Sequence, residues 1–289
     1  MRFATLLDTV LLALAASLCW GTADFSAGLK ARTVALGTVL ALAQGVGLLL
    51  SVPLVVLSGR DFPAAGPALA SLGAGVAVLV GLGCFYRALA AGTMSVVAPV
   101  AATGVAIPVL AGLLGGNHLA AVQVLGMLAA VLGVVLCSRH PSAARTAAGA
   151  RAHRDSIGLA VGAAVAFGCY FLLAHIGTRG GVAWLLALAN ITGVLGVVVV
   201  CAVLRSPLRA PTARGDLAVL VLAGLLEFAA TGLYGLANRH GQLSVVAVAG
   251  SLYPVATVLL ARAILGERLV RLQALGVSLA LVGVALIAA

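Results

Sequence analysis

Residues 92–136 read GTMSVVAPVAATGVAIPVLAGLLGGNHLAAVQVLGMLAAVLGVVL, and residues 241–286 read GQLSVVAVAGSLYPVATVLLARAILGERLVRLQALGVSLALVGVAL. The two runs are versions of one another. Ser95-Val96-Val97 matches Ser244-Val245-Val246, and Gln123, Gly126 and Gly133 match Gln273, Gly276 and Gly283. The offset grows from 149 to 150, so one residue is inserted in the later copy. Earlier in each half, Trp20-Gly21 has a weaker echo in Phe167-Gly168. Self-similarity on this scale means the chain is built from two copies of one unit.

What each copy contains follows from composition. Of 289 residues, 63% are hydrophobic and 8% are charged. A soluble domain carries about 25% charged residues, so lipid must be the solvent around most of this chain. Apolar runs bounded by charges, Pro or Gly predict ten spans. The first five are 8–28, 34–57, 68–90, 93–114 and 119–138; the second five are 157–177, 182–204, 216–238, 242–265 and 270–288. The expected fold is all-α and polytopic, with ten transmembrane helices in two inverted five-helix repeats. Its divisions are a first repeat at 1–138, a basic connection at 139–156 and a second repeat at 157–289. Ten spans use about 200 residues, which leaves no room for a separate soluble catalytic domain. Met1–Cys19 looks like a signal peptide, but Asp8 interrupts it and no small-x-small cleavage site is clear, so it reads as the first span.

An odd number of spans per repeat returns the chain to the second copy from the opposite side of the membrane. Related halves then sit inverted about an axis in the membrane plane, as in alternating-access transporters. Charge gives an orientation. Arg2, Arg60, Arg179 and Arg239 fall on the N-terminal side, and the other thirteen of the 17 Lys and Arg fall on the opposite side. The positive-inside rule places that richer side in the cytoplasm and both termini outside.

Several function classes drop out. The net charge of +10 is scattered between apolar runs and aromatics are 4%, so no nucleic-acid surface is expected. The five cysteines, Cys19, Cys84, Cys137, Cys169 and Cys201, show no CxxC spacing, and neither a metal centre nor a cofactor is expected. GxxxxGK[ST], HExxH and GxSxG are absent, which speaks against ATP hydrolysis, metalloprotease and hydrolase chemistry.

The residues that remain are polar groups inside spans. A charge at mid-helix costs at least about 2.5–3.5 kcal/mol. Glu227, near the centre of span eight, and Asp24, in span one, should therefore face protein or a water-filled cavity. An acid so placed can take a proton from one side and release it to the other, or pair with a cationic substrate. It can also be a packing hydrogen bond, and Asp24 can reach interfacial water or Lys30. Pro99 and Pro108 in span four and Pro254 in span nine are expected helix breaks, which can offer free carbonyls to a midplane substrate. They can equally be simple bends. Ser95, Thr103 and Ser251 would add hydroxyls along those spans. Trp20 and Tyr253 are favoured over Tyr86, Tyr170 and Tyr234 as cavity aromatics, and Asn190, mid-way along span seven, can bond a helix or a substrate.

Four marks give the chain a family resemblance. They are Trp20-Gly21 late in span one, Tyr86-Arg87-Ala88-Leu89 closing span three, Gly266-Glu267-Arg268-Leu269 between spans nine and ten, and Leu275-Gly276 followed by Gly283-Val284. In this order the chain resembles the EamA-type family of the drug/metabolite transporter superfamily over nearly its whole length. The resemblance implies ten helices around a central cavity and secondary, non-ATP transport of amino acids, other metabolites, sugars or drugs, often outward. Two departures stand out. Gly116-Asn117-His118-Leu119 replaces a second acidic Gly-Glu-x-Leu, and many relatives are thought to keep their termini in the cytoplasm, unlike the charge count here.

The resulting expectation is a secondary transporter in the cytoplasmic membrane. It would export a small metabolite, an amino acid or related compound, by alternating access. Its partners would be that substrate, protons or another coupling ion, and membrane lipid. It could act as a monomer or homodimer. The rival readings are an intramembrane enzyme and a non-transporting scaffold.

Overall fold

The structure is a computed structural model that describes residues 2–114, 121–138, 147–205, 208, 211, 214–240, 246, 250, 252–268 and 271–287. The described residues form helices and no strand. In the first half they are α1 (Arg2–Lys30), α2 (Leu36–Ser58), α3 (Ala65–Ala91), α4 (Met94–Ala102), α5 (Ala106–Leu114) and α6 (Ala121–Ser138). In the second they are α7 (Ala147–Gly177), α8 (Val182–Val203), α9 (Arg214–His240), α10 (Tyr253–Leu265) and α11 (Arg271–Ile287). Among the described residues six helices, α1, α2, α3, α7, α8 and α9, are long and apolar enough to cross a membrane. The expectation of ten is met to that extent, with shorter apolar helices at Met94–Pro108, Tyr253–Leu265 and Ala274–Gly283.

The polarity of the bundle is that of a protein dissolved in lipid. Leu49 is 75% exposed and Leu57 is 83% exposed, while Asp24, Gln44, Ser95 and Thr257 are buried. Water would penalise so much uncovered apolar surface, whereas acyl chains are its natural neighbour. Small residues let the helices approach. A Cβ at Gly75 would meet the Ala189 carbonyl and Thr192, and one at Gly133 would meet α11 at Gly276 and Ala280.

The helix contacts repeat under exchange of the two halves. α1 packs on α9 as α7 packs on α3; α1 meets α10 as α7 meets α4; α2 faces α8, and α6 faces α11. The counterparts also run in opposite directions. Lys30, at the end of α1, meets Asp216, at the start of α9. Ser156, early in α7, donates to Ala88 late in α3, and Arg32, just past α1, donates to Leu89. Thus α1 and α3 finish at the end of the bundle where α7 and α9 begin. The far end holds Gly177 against Ser71, and Gly180 against Pro63.

Three boundaries differ from the sequence reading. α7 begins at Ala147, so half of the expected connection 139–156 is helical, and Arg151 and Arg154 are exposed on its first turns. The alanine-rich stretch from Ala147 has good helix propensity and no proline to stop it. The remainder, 139–146, lies outside the described residues. Span four is not one helix: α4 gives way to a 3-10 turn at Thr103–Val105 before α5. Pro108 explains the turn, because it cannot donate to the carbonyl of Gly104 and its ring crowds that group. Pro99, by contrast, sits inside α4 without breaking it, which corrects that expectation. Pro254 lies in the first turn of α10, just after a turn at Leu252. There its missing N–H has no helical partner to lose.

Candidate functional site

The antiparallel packing of α1 on α9 sets Asp24 and Glu227 against one cavity. The two carboxyl groups are close enough to interact electrostatically. Asp24 is 4% exposed. The Tyr86 hydroxyl, from α3, is a close polar neighbour of its carboxyl group. Oε2 of Glu227 is buried without a hydrogen-bond partner among the described residues. Lys30, a candidate partner for Asp24 from sequence, is instead 2.6 Å from Asp216.

Aromatic rings form the rest of the wall. Trp20 packs against Tyr234 and Phe171, with ring centroids 5.3 and 6.0 Å apart. Phe167, Tyr170, Phe171 and Tyr253 complete the lining with Val78 and Leu82. The Tyr253 hydroxyl is buried and unpartnered among the described residues. Trp20 is held in place through its neighbour Gly21. The Thr257 hydroxyl donates to the Gly21 carbonyl at 3.0 Å, and a Cβ on Gly21 would run into Tyr253 and Ala256. The echo in the second half is structural as well: Gly168 makes the equivalent approach to Gly104 and Ile107 at the 3-10 turn.

A second cavity meets the first at Val78, Tyr170 and Glu227 and extends between α2 and α8. Gln44, Asn190 and Thr231 supply its polar groups. Each of the two amides packs on a glycine of the facing helix, Gln44 on Gly193 and Asn190 on Gly47. Each cavity has a volume of about 30 Å³, room for a few water molecules at most. No Lys, Arg or His is among the described residues that line either one.

The residues expected from sequence therefore divide. Trp20, Asp24, Glu227 and Tyr253 come together in the first cavity, and Asn190 joins Glu227 in the second. Ser95 and Thr103 line neither. The Ser95 backbone N–H donates to Glu267, and the Thr103 hydroxyl donates to the Val100 carbonyl. Ser251 lies outside the described residues. Pro99, Pro108 and Pro254 are not among the described residues that line these two cavities. Tyr86 as the polar neighbour of Asp24, and Gln44, were missed. Gln44 had a signal: counted from the starts of α2 and α8, it occupies the position that Asn190 occupies in the second half.

Chemically, two carboxyl groups in an aromatic pocket with no basic side chain cannot both carry charge unopposed. The site needs a proton, a cation or an ammonium group to balance them. Rings present their negative faces to such a cation.

A profile of the EamA-like transporter family matches residues 8–139 and 156–289. No curated protein matches significantly. One solved structure, described only as a crystal structure of a protein, is similar over 96% of this chain and 95% of its own, with a TM-score of 0.66 and 20% identity. At that identity the likeness shows the fold alone.

Proposed function

Because the chain belongs to the EamA-like transporter family, a membrane family of the drug/metabolite transporter superfamily, we propose that it is a secondary transporter working by alternating access. In this reading ten spans cross the cytoplasmic membrane as two inverted repeats, the four beyond the six long helices being the shorter segments around α4–α5, α6, α10 and α11. The substrate is a small metabolite, an amino acid or related amine, and it leaves the cell. The richer basic end, with Lys30, Arg32 and Arg87, faces the cytoplasm.

The observation that carries the proposal is the Asp24–Glu227 pair in an aromatic cavity between oppositely directed halves. An ammonium group would balance the carboxyls while the rings cover its apolar part. When the ammonium leaves, a proton or another ion takes its place, which couples substrate movement to an ion gradient. The exchange-symmetric packing supports two conformations of similar energy, one open to each side. An enzyme would have no use for that symmetry.

The test is transport into proteoliposomes of purified protein, after a thermal-shift screen of amino acids and related metabolites. A saturable flux with counterflow is expected. Asp24→Asn and Glu227→Gln should lose most of it and flatten its pH dependence. If both variants transport like the wild type at every pH, the carboxyl pair is not the coupling site. If no small molecule gives counterflow, the chain is not a carrier.

A further inference from the structure

We propose that the second cavity, between α2 and α8, is a sodium site, separate from the aromatic pocket but sharing Glu227 with it. The donors are all oxygens. Glu227 supplies a carboxylate, Asn190 and Gln44 supply amide oxygens, and Thr231 supplies a hydroxyl. The Asn190 amide is already oriented: its Nδ2 donates to the Leu186 carbonyl at 2.8 Å. Its Oδ1 is thereby left on the side of Gly47, which has no side chain to cover it. Thr231 neighbours Tyr170, which borders both cavities. The strongest pointer is Oε2 of Glu227, buried and without a hydrogen-bond partner among the described residues. A buried polar atom left so is costly unless something binds there.

Charge and size select the ion. One carboxylate with neutral oxygens balances a single positive charge, whereas calcium sites gather several carboxylates. Soft or borderline metals favour sulfur and imidazole, which this lining lacks. The four donor side chains supply few oxygens for potassium, which takes more ligands than the smaller sodium ion. Amide oxygens from both halves, Gln44 from the first and Asn190 from the second, would close on the ion together. Sodium occupancy would then hold α2 against α8 and neutralise Glu227 from one side while Asp24 deals with the substrate from the other.

The coupling half of this inference rests on the transporter reading; the binding half does not. Binding is therefore tested first, on the purified full chain. Thermal melting is compared in sodium, potassium and choline chloride at equal ionic strength, together with retention of radioactive sodium. The expected result is a saturable stabilisation and about one retained ion per chain in sodium alone. Asn190→Leu and Thr231→Val, both close in shape to the native residues, should each weaken the sodium midpoint at least tenfold. Equal melting in all three salts with no retained sodium would overturn the site. So would unchanged sodium affinity in both variants. Flux that persists without sodium, driven by pH alone, would leave the transporter reading standing and remove sodium as the coupling ion. Sodium binding with no flux of any metabolite would do the reverse.

Discussion

The Glu267 carboxylate accepts the backbone N–H of Ser95 at 2.9 Å, so a residue of the second half caps a helix of the first. The N–H of Met94 reaches the same carboxylate at 3.1 Å, and Arg32 lies 3.9 Å away. α4 needs the service, because Thr93 at its N-cap makes no side-chain hydrogen bond. Gly266 makes it possible: its φ of 64° turns the chain sharply after α10 and delivers Glu267 to α4.

Replacing Glu267 by Ala should cost about 1 kcal/mol, the ordinary value of a lost N-terminal cap, and lower the melting temperature of the purified protein. Glu267→Ala should cost more than Glu267→Gln, since the amide oxygen still accepts one bond. Equal melting of all three proteins would show that the cap contributes nothing. Gly266→Ala should be as damaging as Glu267→Ala although no atom lies within 4 Å of the added methyl group. Its penalty comes from backbone conformation alone.

At the same end of the bundle, Lys30 and Asp216 tie α1 to α9 across 2.6 Å, with side chains 22% and 23% exposed. Water reaches this pair, so its stability value is about 0.2–1 kcal/mol and falls with salt. Its position matters more, since it joins the helices that carry Asp24 and Glu227. Lys30→Ala and Asp216→Ala should change thermal stability little while altering the flux rate severalfold. The exchanged protein, Lys30→Asp with Asp216→Lys, should recover toward the wild-type rate. Absence of recovery would mean the two residues act separately.

The two glycines that follow Trp20 and Phe167 make a sharper case. A methyl group on Gly21 would lie 2.6 Å from the Ala256 Cβ, and one on Gly168 would lie 2.7 Å from the Ile107 Cβ. Neither neighbour is the end of a flexible chain. Gly21→Ala and Gly168→Ala should each destabilise by about 1–3 kcal/mol through overpacking, and each should slow transport. Gly45→Ala and Gly83→Ala, where nothing lies within 4 Å, should be neutral or mildly stabilising. Thermal melting of the four variants checks the contrast.

These glycines also mark how far the sequence could be read. The Trp20-Gly21 and Phe167-Gly168 echo was visible in the letters, and it corresponds to paired helix crossings. Asp24 and Glu227 were legible because a carboxyl group inside an apolar run has few structural excuses. Their being neighbours was not legible, since it depends on α1 lying antiparallel to α9. Hydroxyls misled for the opposite reason. Thr103 satisfies itself on the carbonyl of Val100 one turn back, as Ser and Thr commonly do in helices. Ser95 was read as a side chain, whereas its backbone N–H makes the observed contact. Pro99 was counted with Pro108 as a breaker, yet only the latter has a 3-10 turn before it. Tyr86 escaped as a site residue because a tyrosine late in a span looks like an interfacial anchor.

Trp20 gives a direct optical reading of the aromatic pocket. The chain has two tryptophans, and the other, Trp184, sits at the far end of the bundle. There its Nε1 donates to the Arg60 carbonyl at 3.1 Å and its ring packs on Phe62. Trp184→Phe therefore leaves one fluorophore beside Asp24. It should fold normally, losing one partly exposed hydrogen bond worth about 0.5–1.5 kcal/mol. Titrating the transported metabolite into that protein should change its emission saturably, at a midpoint matching the transport midpoint within about threefold. Asp24→Asn in the same background should move both midpoints together, because one cavity binds and carries the substrate. An optical midpoint that stays fixed while the transport midpoint moves would place the substrate away from Trp20 and leave the pocket to the coupling ion.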